Sequence, residues 1–201
     1  MILIGYSGHA FVLYGILTAA GKNVTGYCDV AEKEYNPFNL PYFGSENLET
    51  GLQALRQNGF IIAVGDNRLR NNIYTNLQQK QLTPVNAIHP SAVIDASATI
   101  ATQGVMIAAN ATINPLATIG TGAICNTGCI IEHECVVGEF THIGPGAVLC
   151  GNVKIGSGTF VGANAVIKQS ITVGKNAMIG AGSVVVKNVP DGVTVVGVPA
   201  K

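Results

Sequence analysis

The chain has 201 residues, of which 48% are hydrophobic and only 11% charged, and its formal net charge at pH 7 is zero. This balance argues against binding to nucleic acid or to an anionic membrane surface, and no apolar run approaches the ~18 residues of a membrane span. Five cysteines without a C-x-x-C pair favour free thiols in a reducing cytoplasm over a disulfide framework or a metal site. The opening segment lacks a signal-peptide pattern, so we expect a cytoplasmic protein.

The first 85 residues alternate apolar strands with helices, which predicts a small parallel α/β sheet. We predict strands at "MILIG", "NVTGYCD" and "FIIAVGD", and a last short strand at "PVNAIH". Helices are predicted from about Ala10 to Ala20, from Ser45 to Gly59, and over 67–81. Ligands of such sheets bind at the carboxyl ends of the strands, which here are Gly5–His9, Asp29 and 65–67.

From residue 91 onward the sequence becomes a repeat of six residues, with a one-residue slip after Ile94 and Ile100. The period is too short for a helical repeat and too long for strand alternation, so it predicts a parallel β-helix of hexapeptides. We therefore divide the chain into domains 1–85 and 86–201, and expect the second to fold without the first. Apolar residues occupy fourteen consecutive positions of the period: Ile107, Ile113, Ile119, Cys125, Ile131, Val137, Ile143, Leu149, Ile155, Val161, Ile167, Val173, Ile179 and Val185.

One charged motif interrupts the apolar repeat, because Glu132, His133 and Glu134 are consecutive and His142 follows nine residues later. A neutral imidazole is well matched to proton transfer near pH 7, and an adjacent carboxylate orients the ring and stabilises the imidazolium. The simpler alternative is that both histidines are surface residues of a solenoid. A metal site is disfavoured, since the ligand spacing is not compact.

Three segments resemble the sialic-acid O-acetyltransferase/bacillosamine N-acetyltransferase group of hexapeptide-repeat acyltransferases: "GYSGH", "IEHECVVGEFTHIGPGAVLCGNVKIG" and "GVPAK". The resemblance covers nearly the whole chain. It implies a small Rossmann-like N-terminal domain followed by a left-handed parallel β-helix, usually trimeric, with acetyl-CoA as cosubstrate. The branch that it most resembles N-acetylates UDP-linked 4-amino-4,6-dideoxy sugars for bacterial glycans.

The resemblance also implies roles for individual residues. His133 would be the general base, Glu134 would raise its basicity, and His142 would contact the acetyl thioester. Gly151, Ala163 and Ala181 would join His142 in binding acetyl-CoA. Val30 departs from the second acid that close relatives often carry after the position of Asp29, which leaves recognition of the nucleotide base open. The residues that match positions contacting the nucleotide-sugar are Ser7, Gly8, His9, Asp29 and Gly65.

The resemblance implies that three hexapeptides make one coil of eighteen residues, so sixteen hexapeptides would form about five coils. This geometry predicts an oligomer. Gly151 would lie one coil above His133, about 4.8 Å away. His142 is half a coil from His133, so within one prism the two side chains point in roughly opposite directions. A pocket containing both needs two subunits, and we expect a homotrimer.

Basic residues are concentrated in the last coils, where the sequence has five lysines and a single acid, Asp191. This end would suit the phosphates of coenzyme A, although solubilising lysines explain it equally well. The lysines are Lys154, Lys168, Lys175, Lys187 and Lys201.

The leading interpretation is an acetyl-CoA-dependent N-acetyltransferase acting on a UDP-linked 4-amino sugar. O-acetylation of sialic acid or a related sugar is the alternative, because the same base serves an amine or a hydroxyl. A non-catalytic nucleotide-sugar-binding trimer is the alternative from another class, and the pairing of His133 with Glu134 argues against it.

Overall fold

The computed structural model describes residues 1–201, which begin with a three-stranded parallel sheet of order β2-β1-β3. The first two strands lead into Gly5 and Asp29, as the sequence predicts, and the third ends at Ile62, a few residues before the predicted 65–67. No helix of the chain is long and apolar enough to cross a membrane. The elements of this domain are β1 (Ile2–Ile4), α1 (Gly8–Ala19), β2 (Gly26–Cys28), α2 (Glu49–Asn58), β3 (Phe60–Ile62) and α3 (Asn67–Gln79).

The second helix begins at Glu49, four residues later than predicted from Ser45. Leu48 donates a backbone hydrogen bond to the Ser45 carbonyl, which closes a turn before the helix. Gly51 packs against this turn so closely that a Cβ there would lie 2.1 Å from the Ser45 oxygen. This local turn keeps Ser45 out of the capping position, and the helix starts at Glu49.

The strand predicted at "PVNAIH" does not join the N-terminal sheet. The Val85 N–H still donates to the Phe60 carbonyl of β3, whereas the Ala87 N–H donates to Val105 of the following coil. The chain therefore passes from one domain to the other over residues 85–87.

The remaining residues form a parallel β-helix of two-residue strands. These strands are β4 (Ala87–Ile88), β5 (Val93–Ile94), β6 (Thr99–Ile100), β7 (Met106–Ile107), β8 (Thr112–Ile113), β9 (Thr118–Ile119), β10 (Ile124–Cys125), β11 (Ile130–Ile131), β12 (Val136–Val137), β13 (His142–Ile143), β14 (Val148–Leu149), β15 (Lys154–Ile155), β16 (Phe160–Val161), β17 (Val166–Ile167), β18 (Thr172–Val173), β19 (Met178–Ile179), β20 (Val184–Val185) and β21 (Thr194–Val195).

These strands stack into three parallel sheets of seven, six and five strands, one on each side of a triangular prism. Paired strands lie eighteen residues apart along most of the prism, as in Ile131 opposite Leu149. The prism has about six coils, one more than the sequence estimate. From β7 to β20 the second residue of each strand is buried in a core of 26 residues, which confirms the hexapeptide period.

The corners of the prism require left-handed backbone conformations. Each of three columns repeats a positive φ at every eighteenth residue, which explains why Gly and Asn dominate there. Glu134 is an exception, with φ of 61°. The columns are Leu116, Glu134, Asn152 and Ser170; Asn110, Gly128, Gly146, Asn164 and Gly182; and Gly104, Gly122, Phe140, Gly158 and Asn176.

The two domains share an apolar cluster. Helix α1 lies against the outer face of the seven-stranded sheet, where Leu13 and Leu17 belong to the same buried cluster as Met106 and Ile124. Removing residues 1–85 would expose this patch to water. The expectation that residues 86–201 fold alone does not account for this contact.

Candidate active site

His133 and Glu134 lie at the corner between β11 of the six-stranded sheet and β12 of the five-stranded sheet. We call this the His133 corner (residues 132–135). His133 Nδ1 lies 3.0 Å from Glu134 Oε2, and the two side chains are 58% and 57% exposed. Because the carboxylate only accepts, it holds the proton on Nδ1 and leaves Nε2 as the basic nitrogen. The pair has the arrangement of a general base with its orienting acid.

Gly151 lies directly above His133 on the next coil. The Asn152 N–H donates to the His133 carbonyl at 2.8 Å, which fixes the stacking of the two coils. A Cβ on Gly151 would lie 2.6 Å from His133 Nε2, so the imidazole edge rests on the glycine. The Gly151 N–H donates no hydrogen bond within the chain. The residue that packs against the His133 ring therefore carries a free main-chain donor.

His142 lies on the outer face of β13 and contacts the N-terminal domain of its own chain. Its Nδ1 is 3.3 Å from the Gly65 carbonyl oxygen, and its Nε2 is 3.0 Å from Asn126 Nδ2. Burial, with a further contribution from the Arg70 charge, lowers the pKa of His142 to about 4. The ring is thus neutral at pH 7, with the proton on Nδ1 and the Nε2 lone pair directed at Asn126. Within one protomer both nitrogens are engaged.

His9 lies beside His142, with the ring centroids 5.9 Å apart. Burial is the main cause that lowers the pKa of His9 to about 4, and the neighbouring His142 and Arg70 add to it. The Nε2 atom of His9 is buried and has no hydrogen-bond partner. A buried, unpaired polar atom is costly, which marks this position as one that a ligand would complete.

A cavity of about 980 Å³ opens beside His142, between the start of α3 and the seven-stranded face of the prism. Gly65 and Asn67 line its domain side, and Phe160 lines its prism side with Lys175. Phe160 also packs edge-on against the His142 ring. Most of the residues that line the cavity are polar or charged, so it suits a polar ligand.

The other predicted nucleotide-sugar residues lie at the carboxyl edge of the small sheet. Ser7 and Gly8 are exposed at the start of α1, where a Cβ on Gly8 would meet nothing within 4 Å. Asp29 accepts a hydrogen bond from the Tyr6 N–H at 2.9 Å and forms an ion pair with Lys33 at 3.0 Å. The carboxylate therefore shapes the turn after β1 as well as facing this edge.

Ala163 and Ala181 stack on each other at a different corner, between the seven- and six-stranded sheets. The Gly182 N–H donates to the Ala163 carbonyl at 2.8 Å, which keeps the two coils in register. A single protomer therefore separates the predicted acetyl-CoA residues: Gly151 lies at the His133 corner, the two alanines at another, and His142 on the face between domains.

Sequence reasoning missed Arg70, which is 2% exposed and joins the two domains. Its guanidinium donates to the carbonyls of Gly122 at 2.8 Å, Phe140 at 3.0 Å and Gly65 at 3.0 Å. Burial lowers the pKa of Arg70 to about 10, so it remains charged at neutral pH. The sequence shows Arg70 only as a cation among the polar residues of α3. Such a residue is ordinarily exposed to solvent, so nothing in the sequence indicated that it is buried.

Comparison with known proteins gives matches along most of the chain. The model of the PglD N-terminal domain matches residues 1–77, and the bacterial transferase hexapeptide model (six repeats) matches residues 134–169 and 152–187. A mutant of perosamine N-acetyltransferase from Caulobacter crescentus, in complex with CoA and GDP-perosamine, is 37% identical with a TM-score of 0.91, covering 100% of this chain and 94% of the other.

Two further structures are similar over their full length. The acetyltransferase domain of PglB from Neisseria gonorrhoeae FA1090, in complex with acetyl coenzyme A, is 32% identical with a TM-score of 0.88, and 100% and 97% of the chains are covered. WeeI from Acinetobacter baumannii AYE is 24% identical with a TM-score of 0.88 over 100% and 97% of the chains, and this likeness concerns the fold alone.

Proposed function

This chain belongs to the hexapeptide-repeat sugar acetyltransferases that carry a PglD-type N-terminal domain, and we propose that it N-acetylates a nucleotide-linked amino sugar, with His133 as general base. As a member of that family it is an acetyltransferase, with acetyl-CoA as its cosubstrate. The observation that carries the proposal is the 3.0 Å contact between His133 Nδ1 and Glu134 Oε2 beside the free N–H of Gly151.

The proposed chemistry is direct transfer of the acetyl group. The acceptor amine attacks the thioester carbonyl carbon while His133 Nε2 takes one proton from the amine. Glu134 stabilises the imidazolium that forms. In this proposal the free Gly151 N–H donates to the oxygen on which negative charge develops. Collapse of the adduct forms the amide and breaks the carbon–sulfur bond, and CoA leaves as thiolate, which the proton held by His133 can neutralise.

The acceptor would bind along the carboxyl edge of the small sheet and reach the cavity beside His142. Gly65 borders both regions, and His9 offers its unpaired Nε2 next to Gly65. The free N–H groups at the start of α1, near Ser7 and Gly8, suit a phosphate. For the nucleotide we propose UDP with a 4-amino-4,6-dideoxy sugar, on the sequence resemblance alone. The Caulobacter crescentus relative was crystallised with GDP-perosamine, which makes GDP-sugars the first alternative to test.

We also propose a homotrimer, in which a neighbouring protomer completes each site. The His133–Glu134 pair is more than half exposed in one protomer, whereas a thioester needs protection from water. The outer face of the six-stranded sheet, which borders this pair, carries no charge and offers an apolar surface for a neighbour. Its outward residues are Val93, Thr112, Ile130, Val148, Val166 and Val184.

The predicted contact of His142 with the acetyl thioester remains a proposal. In the protomer its N–H faces Gly65, so donation to a thioester would require the proton on Nε2 and a rotated Asn126 amide. The contacts proposed for Ala163 and Ala181 would use main-chain groups at their corner.

A panel of acceptors tests the function. UDP- and GDP-linked amino sugars, the matching hydroxy sugars and free sialic acid would each be incubated with acetyl-CoA, with release of the CoA thiol as the readout. Turnover confined to a nucleotide-linked amino sugar supports the proposal. Turnover of sialic acid instead would favour the O-acetyltransferase alternative, and binding of a nucleotide-sugar without any thiol release would favour a binding protein.

A further inference from the structure

We infer that Gly151 is a positioning residue for the general base, because the absence of a side chain there lets the His133 ring lie against the next coil. A Cβ at residue 151 would lie 2.5 Å from His133 Cε1, 2.6 Å from Nε2 and 3.3 Å from Cδ2. Heavy atoms pack at ~3.5–4.0 Å, so the first two contacts are sterically forbidden. The inference rests on the role proposed for His133.

Backbone conformation does not require a glycine at this position. The positive φ of the His133 corner falls on the next residue of each coil, as in Glu134 and Asn152, and not on Gly151. The equivalent positions one coil below His133 and one coil above Gly151 carry the side chains of Pro115 and Gln169. The corner therefore accepts side chains, and only the coil directly above the catalytic ring lacks one.

The ring is 58% exposed, so it would relieve the collision by moving, and in doing so it would disturb the contacts that now position it. Its Nδ1 edge is bonded to Glu134, and its backbone carbonyl accepts from the Asn152 N–H. A methyl group at residue 151 would displace the Cε1–Nε2 edge by about 1 Å to restore ordinary contact distances. Nε2 is the atom that must take the proton, and misplacement of a reacting group by ~1 Å can cost ~10²-fold in rate.

The inference differs from a contact between Gly151 and acetyl-CoA, which was predicted from the sequence. Alanine keeps the main-chain N–H, so Gly151→Ala preserves that donor while it adds the colliding methyl group. Steric displacement of the base lowers kcat. A cosubstrate that needs the space above Gly151 would instead raise the KM for acetyl-CoA.

A double-mutant cycle tests the inference, using Gly151→Ala, His133→Ala and the double variant of the full chain. We expect Gly151→Ala to lower kcat by about 10²-fold with an unchanged KM for acetyl-CoA. In the His133→Ala background the second substitution should add nothing, because the colliding ring is gone. Gln169→Ala, at the same corner position one coil further on, is the matched control and should keep wild-type kinetics.

Three results would overturn the inference: wild-type kcat for Gly151→Ala, a multiplicative loss in the double variant, or a raised KM for acetyl-CoA at unchanged kcat. If Gly151→Ala is too unstable to assay, the melting temperatures of the variants decide. The double variant, which lacks the His133 ring, should then melt at the same temperature as His133→Ala, and a lower melting temperature of the double variant would contradict the clash. A wild-type kcat in the single variant His133→Ala would instead contradict the proposed role of His133 as general base.

Discussion

The Nδ1 atom of His142 lies 3.3 Å from the carbonyl oxygen of Gly65, so a prism residue predicted to bind the cosubstrate contacts the loop predicted to bind the acceptor. The carbonyl can only accept, which places the proton on Nδ1 and leaves Nε2 to accept from Asn126. His9 packs on the same loop. The buried His142 and the half-buried His9, both neutral at pH 7, therefore border the contact between the domains.

Acidification should destabilise the protein between pH 6.5 and about 4. The folded pKa of both His9 and His142 is lowered from 6.5 to about 4, so in this window the unfolded chain binds more protons than the folded chain. Stability then falls as the pH falls. Melting temperatures of wild type and His142→Asn from pH 7.5 to pH 4 provide the measurement, and the variant should show the shallower slope. His89→Asn serves as control, because the His89 ring hydrogen-bonds to nearby Ser91. Equal slopes for all three proteins would refute the assignment of the pH dependence to His142.

Replacing Arg70 should weaken the junction between the domains. Arg70→Met leaves the buried carbonyls of Gly122 and Phe140 without their donors, and each unpaired group costs ~1–3 kcal/mol. We expect a loss of at least about 2 kcal/mol in unfolding free energy by urea denaturation. Arg68→Met, an exposed neighbour on the same helix, should change it little. A loss in Arg70→Met no larger than in Arg68→Met would mean that these hydrogen bonds contribute nothing net.

Asp29→Ala should raise the KM for the acceptor and leave that for acetyl-CoA nearly unchanged. Asp29 faces the carboxyl edge of the small sheet, where ligands of parallel sheets bind. Lys33→Ala removes only the ion pair and leaves the hydrogen bond from Tyr6 to Asp29, so it isolates the effect of the ion pair. Steady-state kinetics with both substrates varied decide between them. An unchanged acceptor KM in Asp29→Ala would contradict a role for Asp29 in acceptor binding, and equal effects of the two variants would assign the loss to the Asp29–Lys33 ion pair.

His133→Ala should lower kcat by ~10²–10⁴-fold while the affinity for acetyl-CoA remains nearly intact. The loss reflects removal of the proton acceptor, because the exposed ring contributes little to packing. Glu134→Gln should cause a smaller loss in kcat, since an amide oxygen can still accept from Nδ1 but carries no charge. Single-turnover rates and CoA titrations report the two quantities. A wild-type kcat in His133→Ala would require a different base.

A charge on the apolar face of the six-stranded sheet should break the proposed trimer. Val148→Asp would bury a carboxylate between protomers at a high desolvation cost. Thr118→Asp, which points outward from the five-stranded sheet, is the matched control. Light scattering gives the mass, and activity assays give the consequence. A wild-type protein that is monomeric and fully active would contradict a site shared between protomers.

Local patterns of the sequence determined much of the fold and of the chemistry. The six-residue period predicts the strands from Ile107 to Val185, because inward aliphatic residues and tight corners recur at fixed spacing in a β-helix. His133 and Glu134 are consecutive residues, and neighbours in sequence can contact each other directly. Their adjacency therefore predicts a base with an orienting acid. The position of Gly151 over His133 followed from the eighteen-residue coil, which the family resemblance implied and the period alone did not.

Only the tertiary structure decided which face of the prism the small domain covers and what surrounds His142. Those features depend on contacts such as Arg70 with Gly122 and His142 with Gly65, whose partners are 52 and 77 residues apart. A repeat makes every coil alike, so its period carries no information about the one face on which another domain packs.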